Sequence, residues 1–176
     1  MKLIYHPNEW LEKKVAPFDF EKHDAKKVEA DMISIMEKNQ GVGLSANQVE
    51  LDAQIFIIKP TGLKDYEDEK PFAIINPKIT AVSEEMVDGE EGCLSFPALM
   101  LNVNRANSIA VSYQNKEGTT VNEELHGFDA RVFQHEFDHL QGINFVDRVS
   151  KLKLDLALKK RQKYIKKNFP NAKLKS

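Results

Sequence analysis

Residues 134–141 read Gln-His-Glu-Phe-Asp-His-Leu-Gln, so His135, Glu136 and His139 make an HExxH motif. On an α-helix, positions i and i+4 stand one above the other, which lets both imidazoles reach a single cation. Glu136 projects to one side, where a carboxylate can take a proton from an activated water without being a ligand. The bland reading is that two of the five histidines fall four apart by chance. Against it stands a metal hydrolase, and the motif alone does not say which one.

The third ligand separates the candidates, because a catalytic site of the zinc type needs three protein ligands and an open position. The metzincin pattern asks for a histidine six residues after His139; Gly142 suits its turn, but Phe145 occupies the ligand position. Thermolysin-like enzymes take a glutamate from a later helix. No glutamate follows Glu136 here, and the carboxylates beyond the motif are Asp147 and Asp155. Upstream stands the sole cysteine, Cys93, in Glu-Glu-Gly-Cys-Leu-Ser-Phe-Pro. A lone cysteine is most often a small buried hydrophobe. Beside an HExxH motif without its usual third partner, and framed by Gly92 and Ser95, it reads as a ligand. Cys93, His135 and His139 then make a two-His, one-thiolate set, which suits Zn2+, Fe2+, Co2+ or Ni2+.

A third segment, residues 41–48, reads Gly-Val-Gly-Leu-Ser-Ala-Asn-Gln. It lacks the lysine of a phosphate-binding P-loop, and its spacing is not GxGxxG. It offers close backbone approach at Gly41 and Gly43 and an amide donor at Gln48.

GVGLSANQ, EGCLSFP and QHEFDHL, in that order and at these separations, resemble the three signature motifs of peptide deformylases. The start His-Pro-Asn-Glu-Trp-Leu, with Ala16-Pro17 after it, resembles bacterial-type members, and the resemblance spans roughly residues 1–150. Two departures are visible: alanine is usual where this chain has Ser45, and the segment Ala98–Asn104 is more apolar than expected. The resemblance implies removal of the formyl group from the formyl-methionine end of new polypeptides, with Fe2+ as the working ion. It implies Glu136 as the proton carrier, with the Gln48 amide and the Leu94 backbone N–H holding the oxyanion. The extended peptide would pair with backbone near Val42, Gly43 and Gly92, as in strand addition to a sheet edge. Phe128 and Val132 precede His135 by seven and three residues on one helical face, and are candidates for the methionine pocket. Ordinary core packing explains that pair nearly as well.

The elements that must position these groups follow from spacing. Ala25, Val28, Met32, Ile35 and Met36 predict a helix over about 22–38, ended near Gly41. Residues 54–58 and 72–75 read as buried strands, and 109–113 with 119–121 as a hairpin around Asn-Lys-Glu-Gly. The metal helix should span about 125–141, and a last helix, capped by Ser150, about 150–167. The order helix, strands, helix, helix predicts an α+β fold with antiparallel sheet. The resemblance implies sheets wrapped around a central metal-bearing helix, followed by a C-terminal helix.

At 176 residues the chain suits one domain with a real core. No apolar run approaches a membrane span, and the polar start is no signal peptide. One cysteine excludes an internal disulfide and suits a reducing compartment, so cytoplasm is the expected location. The net charge of −2 conceals an asymmetry: residues 148–176 hold eleven Lys/Arg and one acid. The expected division is a catalytic domain over 1–147 and a basic helix and tail over 148–176, either part of that domain or protruding from it. Such a tail fits an RNA-rich partner such as the ribosome, or a solvated face that balances an acidic body. Two other readings stay open: a protease with Asp147 or Asp155 as third ligand, and an inactive module that binds through the tail.

Overall fold

The computed structural model describes residues 1–60 and 70–168. Helix α1 (Ala25–Lys38) begins three residues later than its apolar spacing suggests, because the Asp24 carboxylate caps the Lys27 N–H at 3.1 Å. Its Val28, Met32 and Met36 form the buried stripe. Gln40, with φ +58°, turns the chain into a short strand, β1 (Gly43–Ser45), followed by β2 (Ile55–Ile58).

Strand β3 (Phe72–Val82) runs well past the predicted stop at residue 75. Pro77 has no N–H for the ladder, and the register shifts between Ile75 and Lys78, which reads as a bulge. Asn76 sits there at φ +51°, its side chain accepting from the Phe18 N–H at 2.7 Å and donating to Gln114 at 2.8 Å. Strands β4 (Met86–Gly92) and β5 (Met100–Ala106) form a separate two-stranded ribbon paired over seven residues. The predicted hairpin is β6 (Ser108–Gln114) with β7 (Thr120–His126), its turn closed by Asn115 Oδ1, which accepts from two backbone N–H groups.

Helix α2 (Gly127–Leu140) starts two residues later than expected, since Leu125 and His126 still belong to β7. Gly127, at φ +55°, makes the turn from strand to helix. The helix ends where Gly142, at φ +75°, lies against the Glu12 carbonyl; a Cβ there would approach that oxygen to 2.4 Å. Helix α3 (Lys151–Asn168) follows, with Ser150 at its start as predicted.

The larger sheet has the order β1-β2-β3-β6-β7, antiparallel throughout. Helix α2 packs against that sheet and also against β5 of the ribbon, so the fold is α+β with antiparallel sheets about the HExxH helix. Phe133 of α2 meets Phe56 of β2 edge to face at 5.1 Å in the main core, which also holds Met32, Met36, Ile57 and Ile74. A second cluster gathers Leu11, Phe96, Leu99, Leu101, Val103 and Phe145, and Leu154 and Leu158 of α3 pack on it. From Met100 on, the apolar segment that looked unusual belongs to β5, whose Leu101 and Val103 face this cluster in alternation with exposed Asn102 and Asn104. Among the described residues no helix is long and apolar enough to cross a membrane.

Candidate functional site

The 3.6-residue period of α2 brings the His135 and His139 rings to 5.0 Å, crossed at 77°. Cys93 follows the last residue of β4, where a tight turn with Phe96 N–H on the Cys93 carbonyl (2.9 Å) aims the segment back at α2. Its Sγ lies 3.3 Å from His139 Nε2, and one ligand atom from each of the three residues falls within 4.8 Å of the others. Ligands on one tetrahedral ion stand about 3.4–3.6 Å apart, so the set matches a single cation. Among the described residues this is the one cluster of His, Cys, Asp and Glu that could hold a metal. Asp147 is exposed and accepts the Asn144 N–H at 2.8 Å, and Asp155 is exposed on α3, so neither competes as third ligand.

Behind the ligands lies a buried ionic network that spacing did not reveal. Glu91 Oε2 is 2.9 Å from His135 Nδ1, which fixes the ring and leaves Nε2 for the cation. The same carboxylate accepts from Arg105 (2.8 and 3.0 Å) and from Arg131 (2.7 Å). Arg105 also reaches Asp138 at 2.6 Å, and Arg148, just before α3, closes on the same Asp138. Burial raises the Glu91 carboxyl, but the bonds from His135 and Arg105 outweigh it and hold it at about 2. Burial likewise works against a charged His135, yet the Cys93 sulfur and Glu91 push its pKa up to about 10. His139 is held well below the usual imidazole range by burial and by the neighbouring His135 charge, as a neutral ligand requires.

Glu136 is buried, and that burial raises its carboxyl above the ordinary range. Its carboxylate lies against Gly43, and its Oε2 accepts from the Ser45 hydroxyl at 2.6 Å. Gln48 sits in a short 3-10 turn after β1; its Oε1 takes the Ser45 N–H at 2.8 Å, and its Nε2 points at Ser95 Oγ (3.0 Å) and Cys93 Sγ (3.4 Å). The amide thus faces the candidate metal donor Cys93.

Glu136, Gln48, Cys93 and His135 open onto one cleft of about 610 Å³. Val42, Gly43, Gln48, Gly92, Cys93, Leu94, Phe128, Val132, His135 and Glu136 line it, while His139 lies behind and is almost fully buried. Val132 is buried and Phe128 half exposed at the rim. The cleft runs between β1 and β4; among the described residues β1 pairs with β2 alone and β4 with β5 alone, so each presents an open edge to it.

The groups that sequence reasoning missed are Glu91, Arg105, Asp138, Ser95 and the contact made by Ser45. One signal was present: the alternation of β5 puts Arg105 on the same inward face as Leu101 and Val103, and a charge there demands partners.

The profile of the polypeptide deformylase family matches residues 1–155. The peptide deformylase of Thermotoga maritima is 41% identical over 150 residues, covering 85% of this chain and 87% of that one. The chloroplastic peptide deformylase 1B of rice is 37% identical over 153 residues, 85% of this chain; the chain spans about half of that relative's length (55%). A crystal structure of class I type b peptide deformylase from Acinetobacter baumannii with Met-Ala-Ser bound superposes with TM-score 0.76 at 34% identity, covering 85% of this chain and 98% of that one. Both the donor set and the family call for a metal cofactor. With a profile match over most of its length and the same tertiary structure as solved relatives, the chain belongs to the polypeptide deformylase family.

Proposed function

We propose that the cleft hydrolyses the N-formyl amide at the start of newly made polypeptides, releasing formate and leaving a free methionine amine. The observation that carries this reading is the meeting, between two open strand edges, of three metal donors, a buried carboxylate and the Gln48 amide. Cys93, His135 and His139 would hold one divalent ion, Fe2+ in keeping with the family; Zn2+, Ni2+ and Co2+ also suit the donors. When bound, the ion supplies Lewis acidity at the reacting carbonyl and lowers the pKa of the attacking water.

The protein does the rest. Glu136 takes a proton from the water as its oxygen bonds to the formyl carbon, then delivers that proton to the amine nitrogen as the C–N bond breaks. Its burial makes it a stronger base than a free glutamate. Charge gathers on the former carbonyl oxygen, where Gln48 Nε2 and the Leu94 N–H donate; one such donor is worth roughly 100- to 1,000-fold in rate. The peptide backbone adds to the edges at Val42 and Gly43 on one side and Gly92 on the other, with its methionine side chain against Phe128 and Val132. Formate measured against free amine, with formyl-Met-Ala-Ser as substrate, tests the reading. Equal yields of the two are expected, with acetyl-Met-Ala-Ser and internal peptide bonds left intact. Internal cleavage, or amine without formate, would contradict it.

Helix α3 gains a partner from the same reading. Lys159, Lys160, Lys163, Lys166 and Lys167 are exposed, and a cytoplasmic ribosome presents RNA phosphate to which they would be drawn in a salt-sensitive, sequence-independent way. Leu154 and Leu158 pack against the body, and Arg161 donates to the Pro97 carbonyl at 2.8 Å. Deleting α3 would therefore uncover apolar surface, and reversing the charge of Lys159, Lys160 and Lys163 is the cleaner perturbation. Weaker co-sedimentation with ribosomes at low salt is expected, with unchanged turnover of short formyl-peptides; equal binding would remove the recruitment idea.

A further inference from the structure

Alternation along β1 turns Gly43 and Ser45 to one face, towards α2, and sends Leu44 into the main core. Ser45 is completely buried. Its hydroxyl oxygen stands 2.6 Å from Glu136 Oε2 and 2.9 Å from the Glu136 backbone carbonyl. A hydroxyl has one proton to give, and the nearer, charged oxygen is the stronger acceptor. On the other flank Glu136 Oε1 lies against the bare backbone of Gly43, where a Cβ would come within 2.3 Å of it. The Ser45 N–H meanwhile fixes Gln48 Oε1 at 2.8 Å. One residue at the end of β1 therefore touches both groups assigned to the chemistry, and of the two contacts only the one to Glu136 depends on its side chain.

We propose that Ser45 is a positioning residue for Glu136: its hydroxyl engages Oε2 and leaves Oε1 as the oxygen that carries the proton between water and the leaving amine. This rests on Glu136 being the proton carrier. The last torsion of a glutamate side chain is broad and roughly two-fold, so an unanchored carboxylate samples many orientations. Among the described residues Ser45 is the one hydrogen-bond donor to this carboxylate.

The test is a double-mutant cycle on formyl-Met-Ala-Ser, with metal content and melting temperature checked for each protein. Ser45→Ala is expected to lower kcat about 3- to 10-fold, the rate equivalent of one ordinary net hydrogen bond, with KM and metal unchanged. Glu136→Asp withdraws the carboxylate from the hydroxyl, so adding Ser45→Ala to it should change kcat no further. A kcat for Ser45→Ala at or above that of the unsubstituted protein would overturn the proposal. So would an equal loss in both backgrounds, or a loss confined to KM, since these describe general packing or substrate binding. If Glu136→Asp itself left kcat unchanged, the premise about Glu136 would fail, separately from the role of Ser45.

Discussion

Gly43→Ala should disable the site while sparing the fold. The residue has ordinary strand dihedrals, so alanine meets no backbone strain, and its rigidity in the unfolded chain slightly favours folding. The added methyl, however, would sit 2.3 Å from Glu136 Oε1, 2.8 Å from Cδ and 2.9 Å from Cγ. An ordinary carbon–oxygen contact is about 3.3 Å, so the carboxylate must retreat by roughly 1 Å. Strand β1 is held by β2 through Gly43–Ile58 to Ser45–Phe56, whereas the glutamate is the end of a flexible chain; the glutamate moves. A displacement of that size in a reacting group costs about 100-fold in rate. We expect kcat on formyl-Met-Ala-Ser to fall by about that factor, with metal content unchanged and the melting temperature within a few degrees of the unsubstituted protein. A folded, metal-loaded Gly43→Ala protein with kcat within about threefold of normal would refute the reasoning, because the carboxylate would then not need the place the structure gives it.

Three further outcomes follow from the site. Cys93→Ala should lose bound metal and activity together, since three ligands leave no redundancy; full occupancy by elemental analysis would point to a different third ligand. Glu91→Gln removes the charge that fixes His135 and neutralises Arg105 and Arg131, so metal affinity from chelator competition should weaken about 10- to 100-fold. Unaltered affinity would mean the ring is held by packing alone. Gln48→Ala should lower kcat by more than it raises KM, as for a bond made chiefly in the transition state; the opposite split would assign the amide to substrate binding.

The helices and the Cys93–His135–His139 cluster were legible in the residues; the ribbon and the charged network were not. The apolar spacing of α1, α2 and α3 and the His135–His139 pair depend on positions three and four apart, which local sequence displays directly. Cys93 was reached because the chain offers neither a histidine at position 145 nor a glutamate after Glu136 to complete the HExxH pair. Strand β4, in contrast, reads Met-Val-Asp-Gly-Glu-Glu-Gly, a composition poor in strand formers, and it is held by its register with β5. Strand β3 continues past Pro77 because a bulge and the Asn76 side chain absorb the break. Glu91, Arg105, Arg131 and Asp138 lie on three elements, and a charge in sequence carries no mark of the partner it will meet. The Ser45–Glu136 bond joins residues 91 apart, which spacing cannot suggest.

The central claim is that the metal donors and the proton carrier are separate parts of one deformylating site. Glu136→Gln, assayed for metal-to-protein ratio and for formate released from formyl-Met-Ala-Ser, addresses it most directly. The amide is isosteric but cannot accept the water's proton, so metal should stay at its normal ratio while formate release falls at least about 100-fold. Near-normal formate release from the metal-loaded variant would contradict the account, since some other group would then be moving the proton.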